Sequence, residues 1–315
     1  MASSRSVVIA ALIANGAIAV LKFIGFTLTQ SPAMLSETYH SISDTGNQVL
    51  LLVGLRYSGK EASRRHPFGY GKAQFFYSFL VSVLLFGIAG WEAAKHGFNA
   101  ILHPHPPGTG EATLPLIGVS FPGIYVNYAV LLGAIVFEAY ALRKAYAGLS
   151  KQMQENDWDS LREAFVKTSD VTTLTAFTED TIAMAGAGLA LFGVFLSRQT
   201  GNPLFDAVAS FLIGLMLMGF AVALAWENKR LLLGESMPTE DERPLREVIR
   251  SVGDVEHIDD FRTVYFGPEA AVLTADVSFV PGLETAEIDR RITEIENTIM
   301  ERQPDIKKVY IEPER

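Results

Sequence analysis

Two segments of this chain place cation-binding groups inside otherwise apolar sequence. In SETYHSISDTGNQ, residues 36–48, His40, Asp44 and Asn47 are spaced i, i+4, i+7. That spacing puts an imidazole, a carboxylate and an amide on one stripe of a helix. In LTAFTEDTIAMAG, residues 174–186, Glu179 and Asp180 stand side by side. An imidazole and a carboxylate on one helix supply half of a tetrahedral metal site, and a carboxylate from a facing helix completes it. Acids gathered near a histidine and an aspartate repel one another unless a cation or protons neutralise them. The alternative is a plain interhelical clasp in which His40 and Asp44 bond each other. Cysteine is absent, so imidazole, carboxylate, amide and backbone groups are the only metal ligands on offer, and no disulfide can form.

The elements that must position these groups are membrane spans. The chain has 315 residues, of which 49% are hydrophobic and only 19% charged, a poor match for a soluble domain. A bilayer core of about 30 Å takes roughly 20 apolar residues per helix, and six stretches come close: Val7–Leu28, Ala33–Tyr57, Ala73–Gly97, Ile124–Tyr146, Val171–Leu196 and Pro203–Trp226. The first of these is read as a span and not a signal peptide, because no small-residue cleavage pattern closes it. Ser31-Pro32 and Asn202-Pro203 each pair a capping side chain with proline at a helix start. Basic residues fall in the second-to-third connection (Arg56, Lys60, Arg64, Arg65, Lys72) and the fourth-to-fifth (Arg143, Lys144, Lys151, Arg162, Lys167), so both termini are expected in the cytoplasm. The basic connections need no substrate role; anionic lipid suffices to explain them. The longest outer connection, about Phe98–Gly123, carries HPHPPGTGEA and is expected to be an irregular loop, with His103 and His105 as loose metal contacts at most.

The net charge of −9 lies wholly in the tail. From Met237 onward there are 19 acidic and 10 basic residues, and 35 − 19 and 26 − 10 leave 16 of each before it. An acidic module after a neutral membrane part argues against nucleic acid as a partner. Leu245, Val248, Ile249 and Val252 share one helical face, as do Ile288, Ile292, Ile295 and Ile299. Ile258–Tyr265, Val272–Val280 and Lys308–Glu312 read as strands, the first two separated by Gly267-Pro268. The order α-β-β-α-β gives a small α+β sandwich. The division expected is therefore a transmembrane domain over residues 1–236 and a cytoplasmic domain over residues 237–315, the latter thin enough that pairing with a second copy would help it.

Other charges in the apolar stretches carry weaker readings. Glu138 in the fourth span either lines an entry path or reaches the cytoplasmic interface. Lys22 and Glu92 are expected to snorkel to the outer surface. Asp206, in the first turn of the sixth span, reads as a helix cap. His66 opens the turn HPFGYG and is a candidate for a secondary metal site.

HSISD, HPFGYG, the ED pair, GNPLFDAVASFLIG and LLGESMP together resemble the cation diffusion facilitator family over nearly the whole chain. HSISDTGNQ, LHPHP, FTEDTIA and TGNPLFD look closest to the branch containing the mitochondrial zinc exporter. The resemblance implies an α-helical membrane protein: a six-helix transmembrane bundle followed by a ferredoxin-like cytoplasmic domain, working as a homodimer in the bilayer. It implies a secondary transporter, not an enzyme, exporting a divalent transition metal by alternating access. Zinc is the expected ion, in exchange for protons, with no prosthetic group. The family places two ligands four residues apart on the second span and two on the fifth. His40, Asp44 and Asp180 match three of these positions; the fourth falls on Ala176, so Asn47, Glu179, Glu138 or water must replace it. An oxygen-rich set would also suit Mn2+ or Fe2+. In the tail, Asp259, Asp276, Glu312 and Glu314, with His257 displaced, stand where relatives bind regulatory metal, and they read as solvated acids. A metal-sensing receptor without transport is the competing class; H-E-x-x-H is absent, against a metalloenzyme. A bacterial inner membrane is the expected location, and an organelle membrane would suit the sequence too.

Overall fold

The computed structural model describes residues 2–104, 111–114, 119–155, 158–161, 163–164, 171–268 and 270–314. Helices occupy the predicted spans. They are α1 (Ala2–Thr29), α2 (Pro32–Ser58), a third span made of α3 (Lys72–Leu84), a π-helical segment (Leu85–Gly90) and α4 (Trp91–Leu102), then α5 (Ile124–Glu155), α6 (Val171–Thr200) and α7 (Leu204–Leu233). Four of them, Lys72–Leu102, Ile124–Gln154, Phe177–Thr200 and Leu204–Leu233, are long and apolar enough to cross a membrane on composition alone. In α2 the buried Ser36, Glu37, Thr38, His40, Ser41, Asp44 and Asn47 interrupt the apolar run. Helices α5 and α7 outrun the apolar stretches that revealed them, because residues 147–155 and 227–233 are mostly good helix formers.

The expected boundary chemistry is present. Ser31 Oγ accepts from Met34 N at 3.1 Å and Asn202 Oδ1 from Leu204 N at 3.1 Å, each beside its proline. Gly234, with φ of +93°, closes α7 as only glycine does without strain. The outer connection departs from the irregular loop expected of it. It holds a hairpin of β1 (Glu111–Leu114) and β2 (Val119–Pro122) in antiparallel register, Glu111 opposite Pro122. His105 lies outside the described residues.

The chain forms two compact units, residues 1–49 with 80–225 and residues 50–79 with 226–315. The first unit packs on small residues, with Ala33, Ala89, Ala190, Ala209 and Ala221 buried among Met34, Leu85, Leu131, Ile213 and Leu217. Without water to drive them together, spans associate where small side chains let backbones approach. Gly97 meets the Phe211 backbone and Gly214 the Ala94 backbone so closely that a methyl group at either would collide.

In the second unit, α8 (Thr239–Ser251), β3 (Val255–Gly267), β4 (Ala270–Phe279), α9 (Thr285–Arg302) and β5 (Ile306–Glu314) follow the predicted order. The sheet runs β3-β4-β5, the first pair antiparallel and the second parallel. Leu245, Val248 and Ile249 of α8 and Ile295 and Ile299 of α9 are buried against Leu273, Ala275 and Val277 of β4, while Val252, Ile288 and Ile292 are partly buried at the margin. The strands outrun their predicted lengths, since pairing carries polar residues such as His257 and Glu314 along with the apolar core. In the same unit the HPFGYG turn lies against the β3–β4 hairpin. The Phe68 and Phe266 rings are 4.6 Å apart, and Gly71 abuts the Phe266 backbone.

Candidate metal centre

The stripe on α2 is buried: His40 is 2% exposed, Asp44 9% and Asn47 6%. The one-turn spacing brings His40 Nδ1 to 3.3 Å from Asp44 Oδ1. Neither His40 nitrogen makes a hydrogen bond, however, so the contact is a juxtaposition and not the clasp weighed from sequence. Glu179 and Asp180 of α6 and Glu138 of α5 are half-buried. Their charges meet those of α2: Asp44 feels Asp180, and both Glu138 and Glu179 feel Asp44, His40 and Asp180. Among the described residues no three of these groups stand close enough to hold one ion as they are. His40 and Asp44 are brought together, while Asp180, Glu179 and Glu138 lie within electrostatic reach. Ala176 lies one helical turn before Asp180 on α6.

Two side chains go against the sequence reading. Lys22, expected to snorkel, is 2% exposed, and its Nζ lies 2.7 Å from Glu37 Oε2, with Glu37 wholly buried. Lysine snorkels when water is within reach of its stem; here a carboxylate on α2 is nearer. The signal for Glu37 in the sequence is an acid three residues before His40 inside a span. Asp206 is a cap, but of α2 and not of its own helix: its Oδ1 accepts from Ser31 Oγ at 2.9 Å and from Ala33 N at 3.0 Å. Glu92 is half-buried and lies 3.4 Å from Lys95.

The secondary candidates lie in other surroundings. His66 stacks on Tyr70, ring centres 4.2 Å apart, in a cavity of about 600 Å³ whose charged lining residues are Arg65 and Lys72. Among the described residues no acid lines it, so it has no carboxylate for a cation. In the tail, Asp276 pairs across the sheet with Asp260 and with Glu312, while exposed Asp259 accepts from Ser278 Oγ at 2.7 Å and lies 2.6 Å from His257 Nε2. These bonds, that from Ser278 foremost, hold the Asp259 carboxyl below its usual range.

Residues 8–233 match the cation efflux transmembrane domain, and residues 237–315 the cytoplasmic domain of cation efflux proteins. The chain belongs to the cation efflux family, whose members are transporters and not enzymes. It is 28% identical over 276 residues to the metal tolerance protein C4 of Arabidopsis thaliana, covering 88% of this chain and 57% of that one. To the mitochondrial proton-coupled zinc antiporter SLC30A9 of Mus musculus it is 29% identical over 273 residues, covering 87% and 46%. To the uncharacterized transporter YdbO of Bacillus subtilis it is 24% identical over 303 residues, covering 94% and 90%. The chain spans about half the length of the first two.

Proposed function

We propose that this protein carries a divalent transition-metal cation, zinc foremost, across a membrane in exchange for protons. The observation that carries this reading is the buried His40–Asp44 pair, with both imidazole nitrogens unbonded and the carboxylates of Asp180, Glu179 and Glu138 within electrostatic reach on two other helices. Such a set is costly while empty and satisfied by a dication. His40 and Asp44 hold the ion first; drawing in Asp180 and one of Asn47, Glu179 or Glu138 completes the shell. His40 binds metal only when its ligating nitrogen is free of a proton, and the carboxylates bind protons or metal, so each exchanges for the other. Alternating exposure of this site to the two sides then moves metal one way and protons the other. Relatives with zinc and proton coupling in their names support the same direction.

In this reading the transmembrane part covers residues 1–236 and the acidic module, residues 237–315, lies with both termini in the cytoplasm on the count of basic residues in the connections, a homodimer closes the thin cytoplasmic core, and a bacterial inner membrane suits the whole. The donor set, with one imidazole among carboxylates, also admits Mn2+ or Fe2+. Zinc, manganese and iron fluxes into proteoliposomes at set pH gradients test these points together. Zinc flux driven by the gradient and lost in Asp44→Ala is expected; zinc flux indifferent to the gradient removes the antiport, and no metal flux at all favours a sensor.

A further inference from the structure

Lys22 and Glu37 form an ion pair with side chains 3% and 0% exposed, inside the membrane-spanning unit. A buried pair of this kind is weak evidence for stability, because the cost of desolvating both charges rivals their attraction. An ionisable pair deep in a span calls for a role. The pair also leaves something over: Glu37 Oε2 takes the lysine, while Oε1 is buried with no hydrogen-bond partner.

Glu37 precedes His40 by three residues on α2. Side chains on a helix lean toward its N-terminus, so the His40 ring leans over the turn that carries Glu37. Glu37 and Lys22 are, in that order, the charges that bear most on His40. The His40 edge near Asp44 is Nδ1, at 3.3 Å, which leaves Nε2 as the other unbonded nitrogen. Across from them, α6 presents Gly186, where a methyl group would sit 2.7 Å from Glu37 Oε1. The glycine leaves room for that carboxylate oxygen beside the helix that carries Asp180.

A histidine that ligates a metal through one nitrogen almost always gives its other N–H to a carboxylate, carbonyl or water, which fixes the tautomer and the ring. Resting on the transport site proposed above, we infer that Glu37 is a positioning residue for that site. Its Oε1 receives the Nε2–H of His40 as the ring turns Nδ1 and Asp44 onto the ion, and Lys22 clamps Glu37 in place through Oε2.

The test is zinc binding by isothermal titration calorimetry on the purified full chain in detergent, with size-exclusion profiles to certify folding. Glu37→Gln, which keeps the shape but not the charge, and the apolar pair Lys22→Met with Glu37→Leu are each expected to weaken zinc binding about 10- to 100-fold, the usual cost of losing such a partner. Gly186→Ala, pressing on Oε1 from α6, weakens binding in the same direction. If the pair only held helices together, the apolar double variant would fold and bind zinc as the parent does, and that result overturns the inference. The double variant also decides the matter if Glu37→Gln or Lys22→Met alone fails to fold, because it leaves no unpaired buried charge. Asp44→Ala, measured alongside, separates the two readings. Zinc binding undiminished in Asp44→Ala removes the site itself; binding lost there but kept in the apolar double variant removes only the role of Glu37.

Discussion

In the domain running from α8 to β5 the buried polar groups are paired. Thr263 Oγ1 donates to Glu242 Oε1 at 2.8 Å and accepts from Met237 N at 2.8 Å. Arg246 lies 3.4 Å from the other Glu242 oxygen and 4.1 Å over the Phe261 ring, and Arg291 reaches Asp254 at 2.6 Å. The membrane-spanning unit also has buried pairs, Lys22–Glu37 and Ser31–Asp206 among them, but leaves other buried groups without a bond. Among the described residues, every buried side-chain atom without a hydrogen bond lies there: Glu37 Oε1, both His40 nitrogens, Gln48 Oε1, Asn127 Oδ1 and Ser197 Oγ. An unsatisfied buried polar atom costs about 1–3 kcal/mol, so the cytoplasmic domain uses its polar groups for stability, while in the proposed transport site the two His40 nitrogens are left for a guest ion.

The largest effect follows from removing the guest's ligands. Asp44→Ala with Asp180→Ala should abolish zinc flux in proteoliposomes while leaving the thermal midpoint unchanged or raised, because uncompensated acids leave the bilayer interior. Undiminished flux would collapse the contrast between the regions. The converse change sits in the cytoplasmic core: Ile295→Ala empties space under the sheet and should cost about 2–5 kcal/mol, read by denaturant unfolding of the full chain, with zinc affinity at the membrane site untouched. Smaller again is Thr263→Val, which strands Glu242 Oε1 and the Met237 amide and should cost about 1–3 kcal/mol. Were Thr263→Val silent, the bonds in the second region would be ornament and the contrast would lose one side.

This contrast also explains which features the sequence disclosed. Apolar length and period exposed the spans and the two amphipathic faces around Leu245 and Ile295, because burial of whole faces leaves a repeating trace. The stripe His40, Asp44, Asn47 was legible for the same reason: helical spacing alone places those residues together. Lys22–Glu37 and Asp206–Ser31 were not, since each joins separate helices, and no period records which helix faces which. Without knowledge of α2 as a neighbour, Lys22 reads as an ordinary residue near a membrane surface, and Asp206 as the cap of its own helix. The β1–β2 hairpin escaped because its strands are four residues each, too short for an alternation to stand out among prolines and glycines.

The smallest expected effect concerns Asp259, the acid whose position suggested a regulatory metal. It is exposed, and its carboxyl lies below the ordinary value of 3.8 because Ser278 donates to it, with His257 close by. A carboxyl depressed in the folded state binds its proton less readily there than in the unfolded chain, so its contribution is present above 3.8 and is lost as pH falls through the lower folded value. Ser278→Ala removes the leading cause, and a carbon-detected NMR titration of Asp259 should then shift upward toward 3.8. The loss of stability at neutral pH should be slight, since the group faces water, where such bonds are screened. Zinc added at neutral pH supplies the sharper half of the test: in the reading of solvated acids the Asp259 signal stays put, and a stoichiometric zinc-induced shift would give the cytoplasmic domain an ion-binding role of its own.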